Sequence, residues 1–380
     1  MSDTPLRTAR PLEGIRIVEL ARVLAGPWCG QLLADLGAEV IKVERPGAGD
    51  DTRHWGPPFV TDDEGHNLGA AYYHSTNRGK QGRAIDIATA AGQAEVRDLI
   101  AGADVVIENY KVGGLVKYGL DPARLCTYFP RLIVCSITGF GQTGPYAHRA
   151  GYDFIIQAMG GIMSLTGEPD GAPQKSGIAY ADIFTGLYSA VAILAALRRR
   201  DMDGRGAHID MALLDCQVGV LANQAANYLA SGVVPKRMGN GHANVVPYQA
   251  FATADGELVI AVGNDSQFRK LCTILGAPGW ADDVRFASNA ARLANRRALI
   301  PLLAAKIAGW EAQPLSLALE AEGVPAGPIN DMADVFADPQ VIARGLRFRP
   351  AGAHIDALAS PIVIDGERMA AGEGAPPLGG

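Results

Sequence analysis

Short runs of β-branched and apolar residues alternate with helical segments through the first 140 residues, and this alternation constrains the fold most. The runs occupy residues 15–20, 40–43, 105–108 and 132–137. Buried parallel strands have this continuous apolar character because helices cover both faces of their sheet. The helices between them are predicted at 28–36, ending at Gly37, and at 91–100. The pattern therefore predicts an α/β fold with a parallel sheet wrapped by helices.

The second half of the chain changes pattern. It begins with a long apolar helix at 183–200, a strand at 208–211 and a helix at 213–230. Two strand-like runs at 248–253 and 258–262 then flank the turn residues 254–257, which predicts a hairpin. Helical segments follow to about residue 322, and a strand at 360–364 is expected to return to the first domain. The predicted domains are a large one at 1–225, a smaller inserted α+β domain at 226–327, and a return segment at 328–380.

Charge and composition exclude several classes of function. The 380-residue chain has Lys+Arg 34 and Asp+Glu 40, a net charge of −6, which disfavours nucleic acid or an anionic membrane as the main partner. Five scattered cysteines without a CxxC motif indicate buried thiols in a reducing cytoplasm. The start lacks a signal pattern, and the apolar stretches fall short of the roughly 20 residues of a membrane span. No residue spacing predicts a metal site.

Several loops carry side chains suited to a phosphorylated ligand. The turn at 21–30 follows the first strand and lacks a G-x-G-x-x-G motif, although a helix N-terminus there would attract an anion. Arg45 follows the second strand and is either a phosphate ligand or a solvated charge. Residues 77–83 form a predicted basic loop. Further candidates are Asn109, Tyr110 and Lys111 after the third strand, and Gly139 and Phe140 in a glycine-rich stretch after the fourth.

Asp182 precedes the long apolar helix and allows two interpretations. Asp is a preferred helix cap, but a carboxylate at a helix N-terminus is also a suitable nucleophile. Asp153 is a second candidate with the same ambiguity. A short loop of Gly239, Asn240, Gly241 and His242 is predicted to be either a mobile lid over substrate or an interdomain turn.

Taken together, motifs spread over nearly the whole chain resemble those of the class III coenzyme A transferases (CaiB/BaiF family). They are PLEGI (11–15), AGP (25–27), LGAEVIKVER (36–45), GDDTR (49–53), ENY (108–110), GRG (204–206), GVPAGP (323–328) and the stretch around Asp182. The resemblance implies a Rossmann-like large domain built from both chain ends, an inserted small domain and an interlocked homodimer. It also implies a flexible glycine loop at 239–241, Asp182 as nucleophile, and CoA contacts from Val23, Leu24, Ala25, Arg45, Asn109, Tyr110 and Lys117.

The activity that this resemblance implies is transfer of CoA from an acyl-CoA, best succinyl-CoA, to a small carboxylic or dicarboxylic acid such as glutarate. Covalent aspartyl anhydride and aspartyl-CoA intermediates are expected, with acyl-CoA as substrate and no permanently bound cofactor. Ala88 replaces a lysine that some members place near the CoA phosphates. An acyl-CoA racemase is the first alternative, but Tyr152 stands where racemases use a histidine base. A non-catalytic CoA-binding protein is the second.

Overall fold

The computed structural model describes residues 10–379, which form two compact units. The larger unit holds 10–163, 175–233 and 339–379 of this range, and the smaller unit holds Ser164–Gln174 and Val234–Asp338. The smaller unit is therefore inserted in the larger one twice along the chain. The sequence pattern placed the insertion at 226–327 alone.

The larger unit is built on a parallel sheet with helices on both faces. Its strands are β1 (Arg16–Glu19), β2 (Glu39–Glu44), β3 (Phe59–Thr61), β4 (Asn67–Ala70), β5 (Lys80–Ala84), β6 (Val105–Glu108), β7 (Ile133–Thr138) and β8 (Ala207–Ala212). Its helices are α1 (Ala25–Asp35), α2 (Ala71–His74), α3 (Ala90–Ala101), α4 (Pro122–Tyr128), α5 (Asp153–Met159), α7 (Tyr180–Asp203), α8 (Leu213–Gly219) and α9 (Ala222–Ser231), and α6 (Ile162–Leu165) spans the boundary between the two units along the chain.

Six of these strands form one sheet in the order β5-β2-β1-β6-β7-β8, and all neighbours pair in parallel. β3 and β4 form a separate antiparallel hairpin. The chain builds the sheet outward from β1 in one direction and from β6 in the other, so the order reverses between these two strands. Ligands of open α/β sheets bind at such a switch point, outside the carboxyl ends of the strands. The predicted α/β class with a central parallel sheet is confirmed.

Alternate side chains of each central strand enter different cores. Ile17 of β1 packs with Leu33 of α1 and Ile193 of α7, whereas Val18 packs with Val96 and Ile100 of α3. Both strand residues are fully buried because helices cover both faces. This explains why the β1 segment reads as a continuous apolar run.

Helix α7 is longer than its sequence pattern predicted. Its 24 residues are apolar enough to cross a bilayer by length and composition alone, whereas the apolar stretches in the sequence had been judged too short. Core helices pass the same test, and α7 carries Ala181, Ala190, Ile193 and Leu197 in the main hydrophobic core. Its place in this core therefore explains part of its apolar character.

The smaller unit combines a three-stranded antiparallel sheet, in the order β11-β10-β9, with helices. Its elements are β9 (Tyr248–Ala252), β10 (Glu257–Ala261), α10 (Asp265–Ile274), α11 (Asn289–Ala294), α12 (Arg296–Ile307), α13 (Ala312–Ala321), β11 (Ala326–Pro328) and α14 (Met332–Ala337). The predicted hairpin is confirmed by the pairing of β9 with β10. Its core holds a fully buried arginine, Arg292, whose guanidinium donates to the carbonyls of Val246 and Phe286 and to Asp265.

The C-terminal segment returns to the larger unit as α15 (Pro339–Ala343), β12 (Arg347–Phe348), β13 (Ala357–Leu358), β14 (Val363–Ile364) and β15 (Glu367–Arg368). The prediction that it adds a strand to the main sheet is wrong, because β14 pairs with β15 in a two-stranded sheet. The large sheet of the described chain is thus not built from both ends. Arg53 Nη2 instead donates to the carbonyl of Pro376 at 3.0 Å, and Ala371 N donates to Asp35 at 2.8 Å.

Two further expectations need correction. Residues 77–83 are predicted to form a basic loop, but 80–83 belong to β5, which pairs with β2 at the edge of the sheet. The sequence KQGRA lacks apolar alternation, so only the pairing reveals the strand. The single helix predicted at 213–230 is two helices, because the chain breaks between Gly219 and Ala222, whose φ is +44°.

Candidate active site

The switch point of the sheet lies between the carboxyl ends of β1 and β6. The segment after β1 runs into α1 at Ala25, and the segment after β6 begins at Asn109. The side-chain amide of Asn109 ties the two together: Arg22 N donates to Oδ1 at 3.0 Å, and Nδ2 donates to Arg22 O at 2.7 Å. Three predicted CoA contacts, Val23, Leu24 and Ala25, therefore lie in one loop that begins the helix at the switch point.

Asp182 lies in the first turn of α7. The structure tests whether it caps that helix. The N-cap position of this helix is Ala179, and the acceptor for the free helix amides comes from Asp153 at the start of α5. Oδ1 of Asp153 accepts from Ala181 N at 2.8 Å and from Asp182 N at 3.3 Å. The capping interpretation of Asp182 is wrong, because Asp153 performs that role and leaves the Asp182 carboxylate for other contacts.

The environment of Asp182 disfavours its charged form. Burial, together with the negative charge of Asp153, raises the pKa of Asp182 to about 7. Its side chain is half-buried in the isolated chain, so the carboxylate has lost much of its hydration while a face remains reachable. A carboxyl that changes charge near neutral pH beside a second carboxylate is typical of a functional site rather than a structural one.

Tyr72 belongs to this region and was missed by the sequence analysis. Burial and the charges of Asp182 and Asp153 raise the pKa of Tyr72 to about 12, so its phenol keeps its proton and remains a hydrogen-bond donor. Its ring contacts Trp55 edge-on, with 5.4 Å between the ring centres. No motif marks Tyr72, because only the folding of α2 toward α7 brings it near the two carboxylates.

A glycine brings the helix of Asp182 against the loop at the switch point. A Cβ atom at Gly186 would lie 2.8 Å from the carbonyl oxygen of Ala25 and 3.0 Å from the side chain of Trp28. Only glycine therefore permits this approach of α7 to the start of α1. The nucleophile candidate sits one helical turn before Gly186, on the same helix and close to the predicted CoA loop.

The predicted cationic residues lie at the surface around the same edge of the sheet. Arg45 follows β2 directly, and Lys111 and Lys117 follow β6; all three are exposed. The Lys117 ammonium lies over the Tyr118 ring at 4.7 Å. Tyr110 is half-buried and, with Lys111, lines a cavity of about 20 Å³ whose other walls include Asp121 and Gln142. These cations therefore follow the carboxyl ends of β2 and β6, the strands on either side of β1, and their contact with a ligand stays a prediction.

Gly139 and Phe140 have evident packing roles. A Cβ atom at Gly139 would lie 2.6 Å from Cα of Gly151, so the two backbones are in close contact. Phe140 is only 9% exposed and belongs to the main core, where its ring meets Tyr146 edge-on at 5.6 Å. Packing accounts for both residues, and their predicted contact with CoA stays a prediction.

The loop of Gly239 to His242 belongs to the smaller unit and is anchored there. Gly239 N donates to Gly167 O at 3.0 Å, His242 N donates to Tyr248 O at 3.0 Å, and Arg296 Nη2 donates to His242 O at 2.5 Å. These bonds link three separate segments of the unit to the loop. Within this unit the loop is therefore anchored to three other segments, and its role as a lid stays a prediction.

No metal site is expected from the sequence, but one group of potential metal ligands lies among residues 10–379. Potential ligand atoms of Asp62, Glu64 and His66 lie within 4.8 Å of one another in the turn between β3 and β4. The carboxylate of Asp62 also accepts from the backbone amides of Glu64 and His66, which stabilises this exposed turn. Turn formation therefore explains the cluster without a metal.

Comparison with known proteins agrees with this geometry. A family model described as CoA-transferase family III matches residues 12–380. A succinate–glutarate CoA-transferase from Agrobacterium fabrum is 59% identical over 91% of this chain and 86% of its own length. A succinyl-CoA:glutarate CoA-transferase from Mus musculus is 48% identical over 89% of the chain and 76% of its own length.

A solved structure shows the same fold. The crystal structure of a CaiB/BaiF family protein from Brucella suis is 58% identical, with a TM-score of 0.87 over 98% of this chain and 97% of that one. Identity at this level over nearly the full length establishes common architecture and enzyme class together. The carboxylate at the start of α7 and the cation-lined edge of the sheet thus belong to a CoA-transferase, and the chain is a member of CoA-transferase family III.

Proposed function

We propose that this CoA-transferase moves CoA from succinyl-CoA to a small carboxylic or dicarboxylic acid, with Asp182 as the covalent nucleophile. The observation that carries the proposal is the state of Asp182: it is half-buried, released from capping by Asp153, and has a pKa raised to about 7. The names of the relatives from Agrobacterium fabrum and Mus musculus support succinate and glutarate as the acids exchanged.

In the first half of the reaction, a carboxylate oxygen of Asp182 attacks the thioester carbon of succinyl-CoA. The carbon–sulfur bond breaks, CoA leaves as a thiolate, and a mixed anhydride joins the aspartyl and succinyl groups. The thiolate then attacks the aspartyl carbonyl carbon, the anhydride C–O bond breaks, and succinate leaves. Asp182 is now a thioester with CoA, and the thioester energy has been conserved.

In the second half, the acceptor carboxylate attacks the aspartyl thioester and expels the thiolate, which forms a second anhydride. The thiolate attacks the acceptor's acyl carbon, giving the new acyl-CoA and restoring the Asp182 carboxylate. Each step exchanges one C–O or C–S bond for another, so no oxidant, metal or permanent cofactor is required.

The surroundings of Asp182 favour this covalent chemistry. Burial and Asp153 destabilise the anion, and both anhydride and thioester are neutral, so acylation relieves the unfavourable charge. The protonated hydroxyl of Tyr72 is a donor available to charge that develops on a carbonyl oxygen. A nucleophile of this kind needs no separate base, because its carboxyl is already half ionised at neutral pH.

Binding of CoA is assigned to the edge of the sheet around the switch point. The residues proposed are Val23, Leu24, Ala25, Arg45, Asn109, Tyr110, Lys111, Lys117, Gly139 and Phe140. The exposed cations suit the CoA phosphates, and the N-terminus of α1 offers free backbone amides. A contact of Gly239, Asn240, Gly241 and His242 with the acceptor acid rests on family resemblance alone.

Trapping of the intermediate tests the proposal. Enzyme mixed with succinyl-CoA, digested and analysed by mass spectrometry, should carry CoA or an acyl group on the peptide that contains Asp182. Hydroxylamine should remove the adduct and leave a hydroxamate, because it cleaves activated acyl groups. An adduct on another residue, or none during turnover with glutarate, would contradict the assignment.

We also propose that the enzyme is a homodimer of interlocked chains in the cytoplasm. α5 and α7 expose large apolar side chains of the larger unit to solvent, which a second chain would cover. They are Phe154, Ile155, Met159, Leu187, Tyr188 and Val191. Light scattering should give twice the chain mass of 39.9 kDa, and a stable monomer at micromolar concentration would contradict the proposal.

A further inference from the structure

The loop between β1 and α1 contains a backbone conformation that its residue disfavours. Val23 has φ of +74°, in the left-handed region that a β-branched side chain rarely occupies. The other non-glycine residues with positive φ in the described chain are Ala222 and Asp365. A conformation of this kind persists only where its surroundings enforce it, and such positions cluster at functional sites.

One side of the loop is enforced by a buried ion pair. Val23 N donates to both oxygens of Asp50, each at 3.2 Å. Asp50 is fully buried and is held in turn by Lys42 Nζ at 2.9 Å and by the amide and hydroxyl of Thr52. The same Lys42 ammonium donates to the carbonyl of Ala21 at 3.0 Å. A single buried pair thus binds a donor and an acceptor of the loop.

The other side is enforced by Asn109, from across the switch point. Its amide accepts from Arg22 N and donates to Arg22 O, at 3.0 and 2.7 Å. Four consecutive backbone groups, from the carbonyl of Ala21 to the amide of Val23, are therefore each bound by a side chain from another segment. Such complete fixation is more than a surface turn needs for folding.

From this we infer that Asp50 is a positioning residue that holds the strained Val23 loop in the shape that binds CoA, and that Asn109, itself a proposed CoA contact, holds the same loop from the other side. The inference rests on the proposed binding of CoA at Val23, Leu24 and Ala25. Asp50 acts on the ligand through the loop backbone alone, and Lys42 acts through Asp50. Their role is distinct from that of Asp182, which reacts with the acyl group.

Calorimetric titration with CoA itself tests the inference without any chemical step. Asp50→Asn and Asn109→Ala should each raise the dissociation constant of CoA about tenfold, since each loses one or two hydrogen bonds that fix the loop. In the steady state, the KM for succinyl-CoA should rise while the KM for glutarate stays constant. A merely structural role would lower thermal stability and leave this difference between the two KM values absent.

A second substitution separates positioning from general destabilisation. Glycine adopts positive φ without strain, so in Val23→Gly the loop should depend less on the hydrogen bonds from Asp50 to keep its conformation. When Asp50→Asn is combined with Val23→Gly, it should weaken CoA binding at most about threefold relative to Val23→Gly alone. Asp365→Gly relieves an exposed left-handed residue in the β14–β15 turn and is the matched control, which should give no such rescue.

The outcomes separate this inference from the proposed function. Unchanged CoA affinity in both single variants, or an equal defect with and without Val23→Gly, would overturn the inference and leave the adduct on Asp182 unaffected. If Asp50→Asn does not fold, Thr52→Val, which removes the hydroxyl that donates to Asp50 at 2.8 Å, decides with the same Val23→Gly pairing. Absence of CoA binding by the wild-type enzyme would overturn the inference and the proposed function together.

Discussion

Two groups of carboxylates in the larger unit differ in what balances their charge. Glu19 and Asp50 are fully buried, and the ammonium groups of Lys42 and Lys80 lie within 3.1 Å of them. Asp182 is only half-buried, and its nearest charged influence is the like charge of Asp153. Lysine charges therefore balance the fully buried carboxylates, Glu19 and Asp50, whereas no positive charge balances the more accessible Asp182.

The electrostatic consequences run in opposite directions. Burial would raise the pKa of Asp50, but the charge of Lys42 and hydrogen bonds from Thr52 outweigh it and lower that pKa. Nothing comparable offsets burial at Asp182, whose pKa rises to about 7. The charge of Lys42 therefore favours the ionised form of Asp50, whereas the carboxyl proposed as the nucleophile has no such partner. The difference teaches that, for Asp50 and Asp182, the charged partners rather than the depth of burial set the direction of the pKa shift.

The largest expected effect is at the unbalanced carboxylate, Asp182. Asp182→Asn keeps the shape of the side chain but cannot form an anhydride, so transfer measured with succinyl-CoA and glutarate should fall by at least about 10⁴-fold. Asp215→Asn, in the first turn of the short helix α8, is the matched control and should retain activity. Near-normal turnover of Asp182→Asn would show that the unbalanced charge of Asp182 has no role in transfer.

The same variant should gain stability in a pH-dependent way. The folded-state pKa of Asp182 lies above the ordinary value of about 3.9, so ionisation is harder in the folded than in the unfolded chain. The wild type therefore loses stability as the pH rises toward and through 7. The melting temperature of Asp182→Asn should exceed that of the wild type more at pH 8 than at pH 5.

The next effect should come from the fully buried carboxylates. Lys80 Nζ donates to Glu19, to the carbonyl of Pro27 and to Asn77, all within 3.0 Å. Lys80→Met would leave buried acceptors unpaired and should lower the free energy of unfolding by about 3–5 kcal/mol in urea denaturation. Arg83→Met, on the exposed side of the same strand, should cost at most about 1 kcal/mol.

A smaller effect should follow from separating the nucleophile helix from the loop. Gly186→Ala places a methyl group 2.8 Å from the carbonyl of Ala25, so α7 must shift at a cost of about 1–3 kcal/mol. Turnover should fall with stability, because the shift moves Asp182. Gly219→Ala, where a Cβ meets nothing within 4 Å, is the control on a helix of the same unit. Equal effects at both glycines would contradict the close approach.

The smallest effect concerns pH. With a pKa of about 7, ionised Asp182 increases about tenfold between pH 6 and pH 8, and kcat/KM should rise accordingly. Asp153→Asn keeps an amide oxygen for the helix amides but removes the negative charge, so the midpoint should move to lower pH. A midpoint that stays in place would assign the shift to burial alone.

Sequence patterns located the apolar elements well and the polar ones poorly. The strand at Val105–Glu108 was predicted with its observed ends, because three consecutive β-branched apolar residues are typical of a buried strand. The strand at Lys80–Ala84 was not predicted, because its buried lysine is stabilised by an ion pair and gives no apolar pattern in the sequence. The segment 360–364 holds the short strand β14, but its short apolar run does not specify the pairing partner, which is β15.

For the site, the sequence singled out Asp182 and Asp153 but could not divide their roles. Capping and nucleophilic attack both call for an acid at a helix start, and these two positions are 29 residues apart in the chain. Tyr72 carried no signal in the sequence, and Asp50 stood out only as part of the GDDTR motif, since each acts through a neighbour that only folding supplies.

The sequence by itself determined the α/β class, the enzyme family through its ordered motifs, and the residue types of the site. Those follow from local periodicity and from short motifs that need no knowledge of contacts. The tertiary structure alone decided that Asp153 caps the helix of Asp182, that Gly186 brings this helix to Ala25, and that Asp50 holds Val23. Hydrogen bonds, burial and charge act over a few ångströms, and only the folded chain brings residues so distant in sequence to that range.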